Sequence, residues 1–384
     1  MERLVTSNLK LGIIAGGQLG KMLIQEASKW DVISYVMDNE KECPAASVAS
    51  HYIKGDRLNY DDVYRFGKMV DVLTYEIESI NTKALKKLKE EGVMVKPDPE
   101  VLELIQDKGL QKQFYEQHAI PTSPFKFFDG KEDILKAVSS RSLRLPFVQK
   151  IRKGGYDGQG VAIIETEKDL GKLLEGESIV EEKVPIAKEI SVIAARNDKG
   201  EVRSFPVVEM VFDKQANLVE RLTCPANISA EQEERAQSIA MKLINSLEMS
   251  GLLAVEFFID EKGEVIVNEI SPRPHNSGHH SFESVITSQF EQHLRGIMNL
   301  PLGSTKLKMP AVMINLLGEP GYEGNVKYEG LTDSMAVEGV KIHLYGKKIT
   351  KPFRKMGHVT VLSESLEDAI AKAEKVKNLI KVKA

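Results

Sequence analysis

The sequence predicts an α/β first portion joined to α+β segments, and three observations carry that expectation. Short apolar strands alternate with helical runs between residues 11 and 95, the pattern of a parallel sheet with crossover helices. From residue 120 onward, strands and hairpins mix with helices instead. A hairpin at 252–270 then carries Glu256 and Glu269 on arms otherwise rich in β-branched and aromatic residues.

The totals narrow the class. A length of 384 residues suits two or three domains, and 42% hydrophobic with 28% charged residues is ordinary for a globular chain. A net charge of −4 gives no general attraction to nucleic acid or anionic membrane. Cys43 and Cys224 are too few for a disulfide framework and lack metal-site spacing. No apolar run reaches the roughly 18 residues of a spanning helix, and the first residues lack a signal-peptide pattern. The expectation is a cytoplasmic protein with no nucleic-acid or membrane partner.

At the amino terminus, a strand at 11–14 runs into Ala15-Gly16-Gly17-Gln18-Leu19-Gly20 and a helix at 21–30. A second strand, 32–37, ends at Asp38. A glycine-rich turn at a helix amino terminus is a natural anion site. The dinucleotide fingerprint wants glycine where this chain has Ala15, so the match is weak, and glycines serving only a tight turn are the alternative. A helix at 60–69 and a strand at 70–76 put Glu76 at the carboxyl edge of the sheet, where open α/β sheets bind ligands. After a helix at 82–91 and a strand at 93–95, Lys96-Pro97-Asp98-Pro99 opens a polar helix holding Asp107, Lys108 and Lys112. Domain boundaries are drawn to give 1–105, 106–300 and 301–384.

In the middle of the chain, the strand 146–150 ends in Lys150 and enters a glycine-rich flap. Gly154, Gly155, Gly158 and Gly160 fall within seven residues, letting backbone N–H groups approach phosphate oxygens; a plain hairpin is the alternative. A strand at 178–184 breaks at Glu181, Glu182, Lys183 and Val184, exposing backbone groups able to read an adenine edge, or forming a solvated turn. Glu189 is placed to accept hydrogen bonds from ribose hydroxyls. A long helix at 230–247 leads to the hairpin.

With a connection of two or four residues, Glu256 pairs opposite Val267, and Glu269 sits diagonally on the same face with Ala254, Phe258 and Val265. Val255, Phe257, Ile259 and Ile266 take the other face. Two anions in a sheet buried on both faces call for neutralisation, and a divalent cation held by carboxylates supplies it; carboxylates reaching solvent at the strand end are the alternative. Beyond Glu269, a proline-stiffened loop presents Arg273, His275 and Asn276: an anion clamp, a titratable ring and an amide. Near the carboxyl end, five basic residues fall between 347 and 355, either a phosphate cradle or a solvated turn.

In order and spacing, Lys112, Lys150, the Gly-Gly-Tyr-Asp-Gly flap at 154–158, Glu182 with Glu189, and Glu256 with Glu269 resemble the ATP-grasp superfamily. Within it, the Gly-Gln-Leu-Gly turn at 17–20, the run from Asn268 to His279, and Arg354-Lys355-Met356-Gly357-His358 are similar to the N5-carboxyaminoimidazole ribonucleotide synthases of purine biosynthesis. Ala15 and His280 depart from that pattern. The resemblance implies a Rossmann-like first domain, an ATP-grasp domain and a small third domain. It implies ATP- and bicarbonate-dependent carboxylation of 5-aminoimidazole ribonucleotide through carboxyphosphate, by a homodimer using Mg²⁺ or Mn²⁺. Lys112, Lys150, Gly155, Gly158, Gly160, residues 181–184, Glu189 and Asn268 would bind ATP, with Glu256 and Glu269 on the metal. Arg273, His275 and Asn276 would be catalytic. Gln18, Leu19, Glu76, Tyr156, Asp157, Lys347, Arg354 and Lys355 would hold the ribonucleotide. Three other readings compete: a formate-dependent glycinamide ribonucleotide transformylase or other ATP-grasp ligase, a nicotinamide-dependent oxidoreductase, and a non-catalytic ATP sensor.

Overall fold

The computed structural model describes residues 8–155, 160–212 and 219–384. Its first sheet is parallel, in the order His51–Lys54, Ile33–Asp38, Lys10–Ile14, Val72–Tyr75, Met94–Val95. The sequence predicts four of these strands. His51–Lys54 is short, polar and at the edge, so it lacks the apolar run that marked the others. Helix Gln18–Ala27 packs Met22 and Leu23 on one face, where Phe290, Leu294 and Ile297 of helix Gln289–Ile297 join from far along the chain. Helices Tyr60–Gly67 and Thr82–Glu90 bury Val63, Phe66, Leu85 and Leu88 on the other.

The polar helix expected after Pro99 is two helices, Pro99–Ile105 and Lys108–Gln117. Asp107 breaks the run by capping the second, accepting from the Gly109 N–H at 2.8 Å. Arg152 at the flap's entrance holds the other carboxylate oxygen at 2.7 Å.

A four-stranded antiparallel sheet follows, ordered Phe125–Phe128, Ser178–Glu182, Phe147–Ile151, Val161–Ile164. One face buries Phe147, Ala162, Ile164 and Val180 against Ile134 of helix Lys131–Ser139. The alternate residues, including Val148, Lys150, Val161, Ile163 and Glu181, share the opposite face, on which Val161 and Ile163 are exposed.

Among the described residues the largest sheet has nine strands, all antiparallel. Its main path is Val265–Ser271, Gly251–Asp260, Ile186–Arg196, Val208–Phe212, Val219–Cys224, Ala311–Leu317, Lys355–Leu362, Val340–Leu344, with Val202–Ser204 joined to Ile186–Arg196. Pairing of Val219–Cys224 with Ala311–Leu317 carries the sheet across residue 301. The carboxyl-terminal segment is thus built onto the same sheet, with helix Leu366–Leu379 closing its own core. Helix Ala230–Ser246 covers the hairpin end of the sheet, burying Ile239, Leu243 and Ile244 with Val255 and Phe257. Among the described residues no helix is long and apolar enough to cross a membrane.

The hairpin register differs from the expected one. Its connection has three residues, 261–263, with Gly263 at φ +88° and the Asp260 N–H bonded to the Glu264 carbonyl at 3.1 Å. Phe257 therefore faces Val267, Phe258 faces Ile266 and Ile259 faces Val265. Val265 consequently joins the buried face with Val255, Phe257 and Ile259, and Ile266 leaves it. A β-bulge at Asn268 then resets the pairing, so that Glu256 lies directly opposite Glu269 and not opposite Val267. The bulge has a visible partner. The Val267 N–H donates to the Pro121 carbonyl at 2.8 Å, and the Val267 carbonyl accepts from Thr122 Oγ1 at 3.0 Å. A segment 145 positions upstream therefore accompanies the shift, where strand alternation gives no sign of it.

Candidate active site

The sheet face bearing Glu256 concentrates carboxylates. Ser191 pairs opposite Glu256 and Glu189 opposite Phe258, so Glu189, Glu256 and Glu269 share one face. Burial, then the charges of Glu269 and Glu189, push the Glu256 carboxyl up to about 7. Burial alone pushes Glu189 up to about 7, and it has no hydrogen-bond or ion-pair partner among the described residues. Glu269 differs: burial raises it, but Lys108, ion-paired with it, together with the charges of Lys150 and Arg273 brings it below its ordinary value. Among the described residues no group of three or more His, Cys, Asp or Glu could hold a metal ion.

Beside this pair, Lys108, Lys112, Lys150, Glu181, Asn268 and Glu269 line a small cavity. Lys150 Nζ is 2.9 Å from Asn268 Oδ1, the bulge residue, and 3.0 Å from Glu181 Oε1. Lys112 lies deeper, 2% exposed, held by Thr122 Oγ1 at 2.6 Å, Ser123 Oγ at 3.0 Å and Glu181 at 3.3 Å. Burial lowers its ammonium to about 8, against the opposing charge of Glu181. Burial raises the Glu181 carboxyl, but Lys150 and then Lys112 bring it below its ordinary value. Sequence reasoning named Lys108 without giving it a role; it stands one turn before Lys112 on the same helix. Glu182 ends its strand, Lys183 pairs with Glu165, and the next strand begins at Ile186, leaving Val184 in the break. Gly155 and Gly160 pinch the flap's neck, where a Cβ on Gly160 would meet the Gly155 Cα at 3.1 Å. Tyr156, Asp157 and Gly158 lie outside the described residues.

The proline-stiffened loop draws in groups the sequence did not announce. Arg273 Nη2 sits 3.0 Å from Glu78 Oε1, linking the loop to the first domain. Asn276 exchanges amide hydrogen bonds with Asn315 at 3.0 and 3.1 Å. His275 Nε2 is 3.5 Å from Glu256 Oε1. Burial, then Arg273 and Lys355, hold the ring down to about 3, so it is neutral at ordinary pH. Behind the loop, His279 and His280 are buried; His280 Nδ1 meets Ser284 Oγ at 2.6 Å, and the His279 ring lies 4.8 Å from that of His358.

At the amino terminus Ala15 adopts φ +71°, the left-handed region in which glycine is unstrained. The chain's own carboxylates take part of the hydrogen-bonding capacity of this turn. Glu76 takes the N–H groups of both Gly17 and Gly20, and Asp38 takes that of Gly16 at 2.8 Å. Leu19 is buried and Gln18 half-buried. Lys21, one turn along, donates to the carbonyls of Leu344 and Tyr345, each at 3.1 Å, bringing this helix to the carboxyl-terminal basic segment. In that segment Lys347 donates to the Lys355 carbonyl at 2.7 Å and Arg354 to the Ile349 carbonyl at 2.6 Å. Lys355 carries its charge toward His275 and Glu256.

A four-stranded sheet set against a larger antiparallel one, with lysines and opposed carboxylates between them, defines an ATP-grasp enzyme, a ligase forming a C–N bond. Residues 113–290 match the ATP-grasp domain, 9–106 the ribonucleotide synthetase preATP-grasp domain, and 311–372 the phosphoribosylaminoimidazole carboxylase C-terminal domain. The N5-carboxyaminoimidazole ribonucleotide synthase of Bacillus subtilis is 35% identical over 96% of this chain and 95% of its own. The structure of the Thermotoga maritima synthetase superposes with TM-score 0.90 at 44% identity, covering 98% of this chain and 99% of that one. An Aspergillus clavatus synthase structure, described as a complex with ADP and 5-aminoimidazole ribonucleotide, gives 0.89 at 28% identity, over 97% and 98%. The chain spans 64% of a longer Vigna aconitifolia relative named phosphoribosylaminoimidazole carboxylase. The chain belongs to the N5-carboxyaminoimidazole ribonucleotide synthase family.

Proposed function

We propose that this chain couples ATP hydrolysis to the carboxylation of 5-aminoimidazole ribonucleotide by bicarbonate, yielding N5-carboxyaminoimidazole ribonucleotide through carboxyphosphate in purine biosynthesis. The observation that carries this reading is the direct opposition of Glu256 and Glu269, with Lys108 and Lys150 on one side and Arg273 and His275 on the other.

The donor set fits Mg²⁺, with Mn²⁺ as the alternative. Two carboxylates face each other on one buried sheet face, burial and then the charge of Glu269 pushing Glu256 up, and a hard cation takes one or two carboxylates plus phosphate oxygens. Glu256 and Glu269 would hold it, and when bound it neutralises phosphate charge during transfer.

The chain's own groups do the rest by positioning and charge. Lys108 and Lys150 face the ATP phosphates, while Lys112 lies beneath them and helps neutralise Glu181. Gly155, Gly158 and Gly160 are assigned to binding those phosphates. The exposed apolar face of Val148, Val161 and Ile163 suits a purine base, with main-chain groups at Glu182, Lys183 and Val184 along its edge and Glu189 toward the ribose. Arg273 clamps bicarbonate and then carboxyphosphate, and Asn276, fixed by Asn315, turns its remaining amide capacity to the same anion. Gln18, Leu19, Glu76, Tyr156 and Asp157, with Lys347, Arg354 and Lys355, are assigned to binding the ribonucleotide. Division into 1–105, 106–300 and 301–384 is the functional one, despite the shared sheet. We assign the assembly as a homodimer and the compartment as cytoplasmic.

ADP release measured with Mg²⁺, bicarbonate and 5-aminoimidazole ribonucleotide, each omitted in turn, tests the reading. All three should be required. A requirement for formate would favour the glycinamide ribonucleotide transformylase, and turnover of NADH would overturn the ligase altogether.

A further inference from the structure

His275 is gripped on every side but one. Its N–H donates to Gln289 Oε1 at 2.9 Å, and its carbonyl accepts from Gln289 Nε2 at 2.7 Å. Its ring caps the short turn Asn276–Gly278 by accepting the Ser277 N–H at Nδ1, 3.3 Å away. Ser277 Oγ lies 2.9 Å from the same Nδ1 and 2.9 Å from Ser191 Oγ. Ser191 sits directly opposite Glu256 on the neighbouring strand. Both hydroxyls belong to side chains cut off from water, at 1% and 2% exposure for Ser191 and Ser277.

Hydrogen-bond chemistry gives this chain a direction. A backbone N–H can only donate, so Nδ1 must offer a lone pair to Ser277. The Ser277 hydroxyl then donates to that same nitrogen, and its oxygen accepts from the Ser191 hydroxyl. In the neutral ring the proton therefore resides on Nε2, the nitrogen 3.5 Å from Glu256 Oε1.

We infer that Ser277 and Ser191 are positioning residues that lock His275 in its Nε2–H tautomer, making it a hydrogen-bond donor to the reacting anion and not a base acting through Nδ1. That the anion is bicarbonate or carboxyphosphate rests on the function proposed above; the tautomer does not. No step in this role moves a proton off the ring. His275 donates to an oxygen whose negative charge grows during phosphoryl transfer, while the serines keep the ring from turning over.

The test uses the full chain labelled with ¹⁵N in its histidine rings, the His275 signals being assigned from His275→Asn. The wild-type spectrum should show Nδ1 unprotonated and Nε2 protonated. In Ser277→Ala the two tautomers should mix, and kcat for ADP release should fall about 10- to 100-fold with the ATP KM unchanged. Ser277→Thr, which restores the hydroxyl, should recover most of that loss. Ser191→Ala should show a smaller loss, and the double alanine variant no more than Ser277→Ala alone. Thermal melting checks folding, and Ser191→Ala carries the test if Ser277→Ala does not fold. A protonated Nδ1 in the wild type, or full kcat with an unchanged ring spectrum in the alanine variants, would overturn the inference. Failure of the wild type to release ADP with bicarbonate and the ribonucleotide would instead sink the function reading and leave the tautomer result standing.

Discussion

The amino-terminal glycine turn and the Glu256 hairpin both look, in sequence, like places where a ligand's charge is received. In the folded chain they part company. At the turn, the donors of Gly16, Gly17 and Gly20 are already taken by Asp38 and Glu76, so the chain has supplied its own anions to the helix amino terminus. At the hairpin, Glu256 faces Glu269, Glu189 has no partner among the described residues, and Lys108 is the cation in contact with Glu269. At the turn carboxylates meet backbone donors; at the hairpin carboxylate meets carboxylate. A dinucleotide phosphate approaching the turn would meet the Glu76 carboxylate, which removes the main support for the oxidoreductase reading.

The contrast can be broken most directly at the hairpin. Glu269→Gln should cut ADP release by about 100- to 1000-fold while circular dichroism shows an intact fold, since it weakens charge stabilisation in the transition state. Turnover at the wild-type rate would show that the opposed carboxylates are structural too. Arg354→Ala comes next: on the proposed assignment of Arg354 to the ribonucleotide phosphate, the KM for 5-aminoimidazole ribonucleotide should rise about tenfold or more at nearly constant kcat. An effect confined to the ATP KM would reassign the carboxyl-terminal basic segment.

At the turn, Glu76→Gln leaves one carbonyl oxygen for two glycine N–H groups and turns an amide donor toward one of them. Denaturant titration should show a loss of about 1–3 kcal/mol, with MgADP affinity unchanged. A loss of MgADP affinity with full stability would reverse the roles of the two regions.

The smallest effect sharpens the same contrast through pH. Because burial pushes Glu189 up to about 7, the folded chain binds more protons there than the unfolded chain, so this group's contribution to stability falls as pH rises from about 4.5 to 7. Glu189→Gln should therefore match the wild type near pH 5 and exceed it by about 1–2 kcal/mol at pH 8. A variant less stable than the wild type at pH 8 would mean that Glu189 has a favourable partner.

Much of this was legible in the residues. Parallel strands and hairpin announced themselves through periodicity and turn residues, and the two carboxylates were placed on one face. Their mode of pairing was not legible. It depends on a three-residue connection and on a bulge at Asn268, where the segment around Pro121 and Thr122 meets the strand edge. Lys108 and Lys112 are equivalent in a helical pattern, yet folding sends one to Glu269 and buries the other among Thr122, Ser123 and Glu181. Ser277 stood within the recognised loop, but its partner Ser191 lies 86 positions earlier, on a strand whose neighbour only the sheet order reveals. Local chemistry could be read from local sequence; contacts across strands could not.

The most direct test of the opposed carboxylates is electron paramagnetic resonance of Mn²⁺ titrated into the full chain with ADP, compared with Glu256→Gln, Glu269→Gln and the double variant. The structure predicts a nucleotide-dependent Mn²⁺ signal in the wild type that weakens in each single variant and vanishes in the double one. Undiminished Mn²⁺ binding in the double variant would contradict it.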